Sequence, residues 1–252
     1  MIETYYAGAY WPARQETAEE CAGRALIFFN TISRSDDFFS RWFVPPRSRK
    51  DAPRPLELSG PTLQALFAQG RTLNDEGGII DDLGFRLSSD NGMRPGKHQG
   101  DHCALTLQCG CYAGPISNVC VLSMPSTGPH REHVLTGPMQ AAVLRAMAVA
   151  WEPDWAVATS DSLVEMSTKR PSAGTFVGWV MYFSRRRGPV PPLPEPVRVE
   201  PVEGLGTLVT LTQERFTVSN PVHVELASRV SPLLDQAGLL SPVVSRPPAP
   251  PK

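Results

Sequence analysis

The chain has 252 residues, a formal net charge of −1 and 41% apolar residues. This length is enough to bury a substantial core, which excludes a short peptide or a wholly disordered tail. A near-neutral charge argues against generic binding of DNA or RNA, which usually needs a basic surface. No stretch approaches the ~18 consecutive apolar residues of a membrane span. The opening residues also have no basic segment followed by an apolar run, so we expect no secretory signal and a cytoplasmic location.

Proline is the most unusual component of the sequence, because its 26 residues are about twice the share of an average soluble protein. The prolines are concentrated in residues 45–61, 189–201 and 247–251. Because proline fixes φ and lacks an N–H donor, we predict that the first two stretches are connectors outside the regular elements. The third indicates a flexible, polyproline-like tail over residues 241–252, after a single folded domain over residues 1–240. A PxxP ligand is the functional alternative for this tail.

The first third of the chain predicts a strand followed by helices. Thr17 and Glu20 form a capping box, in which Thr17 accepts from a backbone N–H while Glu20 reaches back, and this opens a helix that ends near Ile32. The other elements predicted here are a strand over Ile2–Tyr10, a further helical turn or two over the aromatic residues 38–43, and a helix over residues 62–69 that stops at Gly70.

In the rest of the chain helices and strands are interleaved, but the predicted strands of the middle third follow one another without helical crossovers. Thr136 opens a helix that runs to Trp151, and Asn220 opens a last helix that ends at Gly238. This order of elements predicts a single α+β domain, with a mostly antiparallel mixed sheet and helices packed on its faces. The predicted strands are Gly84–Ser88, His102–Tyr112, Val119–Ser123, Trp155–Ala158, Phe176–Ser184 and Gly206–Thr212, with a polar, possible helix over Asp161–Thr168.

Two histidines and four cysteines lie within 23 residues, and they are ligand types that zinc prefers. In a strand over His102–Tyr112, the cysteines would share a face with two leucines and pack as small buried hydrophobes. A C-x-C spacing within a strand also lacks the turn of a structural zinc site, so we predict no metal and no cofactor. An odd total of five cysteines indicates reduced thiols rather than a disulfide framework. The six candidate ligands are His98, His102, Cys103, Cys109, Cys111 and Cys120.

Catalytic signals in the sequence are weak. It contains no G-x-S-x-G, H-E-x-x-H or phosphate-binding loop with its lysine. His130 and His133 could serve as acid, base or anion-binding groups, and a solvated loop ahead of the next helix is the alternative interpretation. The basic cluster Arg185–Arg187 could bind an anion or simply solvate a sheet edge.

Paired acids recur along the chain, and two of the pairs fall in one loop. Glu19 and Glu20 are explained by the start of a helix, where the macrodipole favours acids. The loop pairs flank two glycines and two isoleucines, a combination that suits docking onto a basic partner surface. We therefore predict a binding surface that consists of Asp75, Glu76, Ile79, Ile80, Asp81 and Asp82.

Several separated blocks of the sequence resemble the bacterial immunity protein 52 family. They occur in the same order as in that family and run from about residue 3 to residue 240. The blocks are Tyr5-Tyr6-Ala-Gly-Ala-Tyr10-Trp11, Arg14-x-Glu16-Thr17, Cys21-Ala-x-Arg24, Arg47-Ser-Arg49, Val177-Gly-Trp179 with Tyr182, Glu200-Pro-Val, Gly206-Thr-Leu, and Glu214-Arg-Phe216-Thr-x-x-Asn220-Pro-x-His223.

The resemblance implies an intracellular antidote of a polymorphic-toxin system. Such a protein binds a cognate bacterial toxin domain, often a nuclease of restriction-endonuclease type, and it is not expected to be an enzyme or to bind nucleic acid or a membrane directly. Gly8 and Trp11 of the first block are interpreted as architectural. The mechanism that we predict is occlusion of the toxin by the acidic loop. Two alternatives stay open: a small cytosolic hydrolase that pairs a cysteine with His130 or His133, and an architectural or regulatory module that acts through the proline-rich tail.

Overall fold

An antiparallel sheet organises the protein in its computed structural model, which describes residues 2–46, 52–92, 100–114, 118–167 and 175–243. Within those ranges the sheet has ten strands. They are β1 (Tyr5–Trp11), β2 (Phe43–Val44), β3 (Arg54–Pro55), β4 (Phe85–Asp90), β5 (Ala104–Cys109), β6 (Asn118–Ser123), β7 (Trp155–Ser160), β8 (Val180–Ser184), β9 (Arg198–Val202) and β10 (Gly206–Thr210).

Six α-helices accompany this sheet in the described residues, and the predicted α+β class with an antiparallel sheet is confirmed. No helix in the described ranges is long and apolar enough to cross a bilayer. The helices are α1 (Ala18–Ser33), α2 (Gly60–Gln69), α3 (Pro129–Val134), α4 (Gly137–Trp151), α5 (Asp161–Ser167) and α6 (Pro221–Gln236).

Strand β1 lies in the middle of the sheet and joins its two halves. The strand order is β3-β2-β4-β5-β6-β1-β7-β8-β10-β9. In its register Tyr10 stands opposite Val119 of β6 on one side and Trp155 of β7 on the other. The N-terminal strand therefore inserts between a half built from residues 43–123 and a half built from residues 155–210.

The two faces of the sheet are covered to different extents. Helices α1, α2 and α4 lie on one face, where α2 contacts β4 and α4 contacts β1, β7, β8 and β10. On the opposite face, Val157 and Met181 are also fully buried. There Phe176 packs edge-on against Trp155, with ring centroids 5.1 Å apart, and α6 lines a cavity together with Phe176. This face is thus covered beside β7, where Phe176 and α6 lie, while Thr106 of β5 on the same face is exposed.

The predictions that rest on helix capping and on the alternation of strand residues are confirmed. Thr17 Oγ1 accepts from Glu20 N at 3.2 Å, and Glu20 Oε2 accepts from Thr17 N at 2.7 Å, which is the predicted capping box. The meander of β4, β5 and β6 is present with antiparallel pairing. Cys103 and Cys109 are buried on the helix-covered face with the leucines, as the alternation predicts.

Three local predictions are wrong in part. Among the aromatic residues 38–43, only a single 3-10 turn over Asp37–Phe39 forms, and Phe43 begins β2 instead of continuing a helix. Leu56 N donates to Trp42 O at 2.8 Å, so pairing with the following segment takes the backbone out of the helical path. The segment with His130 and His133 is helix α3 rather than a loop, and the strands predicted over His102–Tyr112 and Phe176–Ser184 are shorter.

The two internal proline-rich stretches are more than connectors, because each contributes a strand at one edge of the sheet. Strand β3 ends at Pro55, and β9 contains Pro201, which stands opposite Thr207 of β10. A strand at an edge needs hydrogen-bond donors on one side only, so proline is compatible with it and discourages pairing with another chain. The predicted tail from residue 244 onward lies outside the described residues.

Two arginines from the start of the chain hold the C-terminal end of α4. Arg14 Nη1 donates to Trp151 O at 2.9 Å, and Arg24 Nη1 donates to Ala150 O at 3.0 Å. The last carbonyls of a helix have no intrahelical donors and carry the negative end of its dipole, so both guanidinium groups are well placed. The rings of Trp11 and Trp151 stack beside them, with centroids 5.3 Å apart.

Two glutamates complete this contact, which we call the arginine clasp (Arg14, Glu16, Arg24 and Glu152). The Glu16 side chain is only 6% exposed. It forms an ion pair with Arg14, whose Nε lies 3.1 Å away, and accepts from Arg24 Nε at 2.6 Å. Glu152 adopts a left-handed φ of 47° directly after α4 and pairs with Arg24 at 3.1 Å. Burial lowers the pKa of the Arg14 guanidinium, and the adjacent Glu16 carboxylate opposes that shift.

Replacing Arg24 with methionine should lower the free energy of unfolding by about 2 kcal/mol, because Glu16 loses one of two charged partners and Ala150 O loses its donor. The measurement is urea denaturation followed by circular dichroism. The matched control is Arg41→Met at an exposed loop position, which should stay within about 0.5 kcal/mol of the wild type. Equal losses in the two variants would contradict a stabilising role for the clasp.

A second prediction concerns Gly84, which leads into β4 with φ 66°. A Cβ placed there would lie 2.5 Å from Cys111 N and 2.6 Å from Gly110 C. Gly77 has a similar φ of 81°, but a Cβ there would meet nothing within 4 Å. We expect Gly77→Ala to cost about 1 kcal/mol from the backbone alone, and Gly84→Ala about 3 kcal/mol from backbone and clash. Thermal unfolding measures the loss of stability in each variant. Equal losses would contradict the predicted clash at Gly84, because they would show that its neighbours move aside without an energetic penalty.

Candidate functional site

The six residues of the predicted binding surface lie in a loop between α2 and β4, which we call the acidic loop (residues 71–82). Its two arms form an isolated β-bridge between Leu73 and Ile79. At the tip, Asn74 N donates to Gly78 O at 2.8 Å, and Asn74 Oδ1 accepts from Gly78 N at 2.7 Å and from Glu76 N at 3.1 Å. The loop is therefore held in shape by its own backbone and by one asparagine, which the sequence analysis did not single out.

The base of the acidic loop is anchored by Arg71. Its guanidinium pairs with the Asp81 carboxylate and lies over the Phe85 ring, 4.8 Å from the centroid. Phe85 in turn packs edge-on against Phe67 of α2, with centroids 6.5 Å apart. A cation over an aromatic face is attracted by the ring quadrupole, so this contact fastens the loop to the core.

The predicted surface residues divide into a protruding group and an anchoring group. Asp75, Glu76 and Ile79 are exposed around the tip, and the Asp81 side chain is exposed at the base. Asp82 is only partly exposed, like its neighbour Ile80, and its carbonyl accepts from Tyr112 N at 2.9 Å. All six predicted residues thus lie in one loop, and four of them are exposed to solvent.

A groove separates the acidic loop from the start of α1, and we call it the loop groove. It has a volume of about 620 Å³. Two apolar side chains of its lining are unusually exposed: Ile79 at 55% and Tyr112, which sequence analysis did not identify, at 39%. Small residues and carboxylates make up much of the rest. The lining consists of Gln15, Glu16, Thr17, Ala18, Ala68, Arg71, Ile79, Asp81, Phe85, Gly110 and Tyr112.

The histidines near α3 are engaged in holding that short helix. His133 Nε2 lies 2.7 Å from Asp36 Oδ2, and His130 Nδ1 lies 2.9 Å from Asp101 Oδ2. The His130 ring also stacks on Phe38, with centroids 4.6 Å apart. Burial alone raises the pKa of Asp36, but hydrogen bonds from Phe38 N–H and His133 outweigh it and hold that pKa below its ordinary value.

The cysteines are buried in α1 and in or beside the strands, and among the described residues they are not arranged to hold a metal. Cys21, Cys103, Cys109 and Cys120 are free thiols in the core. Burial raises the pKa of Cys103, Cys109 and Cys120, which favours the neutral thiol. Within the described ranges, no group of three or more His, Cys, Asp or Glu side chains is placed to hold a metal ion. The candidate ligand His98 lies outside them.

The basic cluster after β8 is divided between packing and solvent. Arg187 pairs with Asp154 at 2.7 Å and donates to Leu239 O at 2.8 Å, so it ties the 3-10 turn over Arg185–Arg187 to the chain after α6. Arg185 and Arg186 are exposed. Because Arg187 is already engaged, the three residues do not form one shared anion site.

The blocks of the family resemblance lie in the framework of the fold. Tyr5 Oη donates to Phe216 O at 2.7 Å, which joins the first block to the last. In the last block, Thr217 N donates to His223 Nδ1 at 3.1 Å, so His223 Nε2 carries the proton shared with Glu214 Oε1 at 3.0 Å. These residues connect distant segments and do not line the loop groove, whereas Glu16 and Thr17 of the second block do.

The architectural interpretation of Gly8 and Trp11 fits their surroundings. Trp11 is 1% exposed and stacks on Trp151. A Cβ at Gly8 would lie 2.6 Å from Tyr10 Oη, because the Tyr10 ring lies across the strand at that point. The block Arg47-Ser-Arg49 lies outside the described residues.

Comparisons with known proteins give both structural matches and a family match. The structure of a Pseudomonas aeruginosa T6SS protein, PA0821, is similar to this chain with a TM-score of 0.49 and 11% sequence identity, over 95% of this chain and 73% of that one. No curated protein sequence matches the chain. A family model described as Immunity protein 52 matches residues 3–243. This match spans every helix and strand described above, and the chain therefore belongs to the Immunity protein 52 family, which makes it an immunity protein against a toxin.

Proposed function

We propose that this immunity protein neutralises its cognate toxin domain by docking the acidic loop on the toxin and blocking access to its substrate cleft. The toxin that we propose is a nuclease of restriction-endonuclease type, met in the cytoplasm. A nuclease cleft needs basic side chains to hold the phosphate backbone, so an exposed loop that presents Asp75, Glu76 and Asp81 is complementary to it.

The observation that carries the proposal is the combination of charge and apolar surface on one internally braced loop. Leu73 and Ile79 are 57% and 55% exposed, and they stand between the carboxylates of the tip and the base. Protein interfaces typically place apolar anchors at the centre and polar groups at the rim. Because Asn74 and Arg71 already hold the loop, little conformational entropy should be lost on binding.

Occlusion requires no catalytic step and no cofactor from this chain. The alternative hydrolase would need a cysteine thiolate beside an available histidine. Here burial raises the pKa of three core thiols, and His130 and His133 are engaged with Asp101 and Asp36. These observations favour the binding function over the hydrolase.

Converting the acids of the loop to amides (Asp75→Asn, Glu76→Gln, Asp81→Asn and Asp82→Asn together) should weaken toxin binding by about 100-fold and flatten its salt dependence. Calorimetry or surface plasmon resonance with an inactive toxin domain measures the affinity, and rescue of growth in cells that make the active toxin measures protection. We expect the association rate to fall more than the dissociation rate rises, because exposed charges act on the encounter.

The matched control removes four exposed acids elsewhere, namely Glu57→Gln, Glu195→Gln, Glu203→Gln and Glu225→Gln, and so changes net charge equally. It should bind within about threefold of the wild type. Thermal unfolding of both variants verifies that they fold. Unchanged affinity and salt dependence in the loop variant would remove this surface as the docking site.

The thiols provide a test of the competing hydrolase. In the native protein at about pH 8, we expect the cysteines to react with Ellman's reagent at least ~100-fold more slowly than in guanidinium chloride, since reaction requires exposure of a core thiolate. One thiol that reacts rapidly in the native protein would contradict this expectation and favour the hydrolase.

A further inference from the structure

We infer that the loop groove is the anchor site for one arginine or lysine side chain of the cognate toxin. Its aliphatic stem would lie between Ile79 and Tyr112, and its charged head would reach the carboxylates at the edge of the groove. This inference rests on the proposed function and names the part of the toxin that the site takes.

The walls of the groove suit an aliphatic stem. The lining includes Ala18 of α1 and Ala68 of α2, whose small side chains leave space, and Ile79 and Tyr112, which present apolar surface to solvent. Phe85, 7% exposed, contributes aromatic surface at the bottom. Apolar groups that are exposed in the free protein and enclosed by a partner side chain are the usual anchors of an interface.

The charges around the groove favour a cationic head. The local guanidinium groups are already paired, Arg71 with Asp81 and both Arg14 and Arg24 with Glu16. The Asp81 side chain nevertheless remains 75% exposed, so it can accept from a second donor. The first turn of α1 adds the exposed acids Glu19 and Glu20, and the tip of the loop adds Asp75 and Glu76. An anionic ligand would meet repulsion here.

The size and rigidity of the groove favour one inserted side chain with its flanking backbone. A volume of about 620 Å³ lies in the range of pockets that hold drug-sized ligands. The hydrogen bonds of Asn74 and the contact of Arg71 with Phe85 shape the groove before any partner arrives. A long basic side chain can pack its apolar stem against the walls and place its charged head at the carboxylates of the edge. A short acidic side chain or a purely apolar one can contact at most the walls.

The test fills the groove without touching the acidic loop. Ala68 and Ala65 are both exposed alanines of α2, one turn apart, and only Ala68 lines the groove. Ala68→Trp should weaken binding of the inactive toxin domain at least about tenfold, while Ala65→Trp should stay within about twofold of the wild type. Equal losses in the two variants would overturn the inference, because the toxin would then contact the α2 surface and not the groove.

A pair of charged substitutions reports on the nature of the occupant. Ala68→Arg brings a cation into the groove that we expect to hold a basic side chain, so it should weaken binding more than Ala68→Glu, a shorter side chain of the opposite charge. Thermal unfolding of each variant checks the fold, and Ala65→Arg with Ala65→Glu provides the controls. If Ala68→Glu is the more damaging of the two, the occupant is not basic and the inference fails.

Failure of this inference and failure of the proposed function can be told apart. If the amide variant of the acidic loop loses binding while Ala68→Trp retains it, the loop docks but the groove is not the anchor. If both retain full binding, the acidic loop itself is not the docking surface. Loss in Ala68→Trp, together with a double-mutant cycle that couples Asp81→Asn to one arginine or lysine of the toxin by at least about fivefold, supports the inference.

Discussion

The fold depends on the insertion of β1 between two sets of strands that are otherwise separate. β4, β5 and β6 form a meander from the first half of the chain, and β7, β8 and β10 are neighbouring strands from the second half. Within the described sheet these two sets are joined through β1, so the helices pack over a continuous surface because Tyr5–Trp11 pairs on both sides. The arginine clasp then fixes the end of β1 to the end of α4, which ties the helical layer to the same strand.

This dependence explains why the blocks shared with the Immunity protein 52 family lie in the framework. The first three blocks contain β1, the cap of α1 and three of the four clasp residues. In the last block, Phe216 accepts from Tyr5 of β1, and Glu214 pairs with His223 of α6. Such residues preserve a shape, and they carry no information about a particular partner. Recognition of one toxin is then left to surface residues such as those of the acidic loop, where substitutions change affinity without disturbing the sheet.

Edges and loops show how composition and tertiary structure interact. The proline excess follows from two edge strands and their connections, since proline blocks further pairing at the outer side of β3 and β9. The acidic loop, in contrast, leads into the sheet through Gly84 and is shaped by Asn74. The predicted surface residues fall within it, but Leu73, Asn74 and Tyr112 gain their importance only from the bridge, the turn and the groove that folding creates.

Elements with local signals could be predicted from the amino-acid sequence alone. The capping box at Thr17, the cap at Thr136 and the alternating burial of Cys103 and Cys109 need only neighbouring residues, because hydrogen-bond geometry and side-chain periodicity act over a few positions. The folded structure was needed to show that β1 is central, that the proline stretches form edge strands and that Tyr112 and Ile79 line one groove. Those outcomes depend on contacts between segments distant in the chain, and local periodicity does not specify which strands pair.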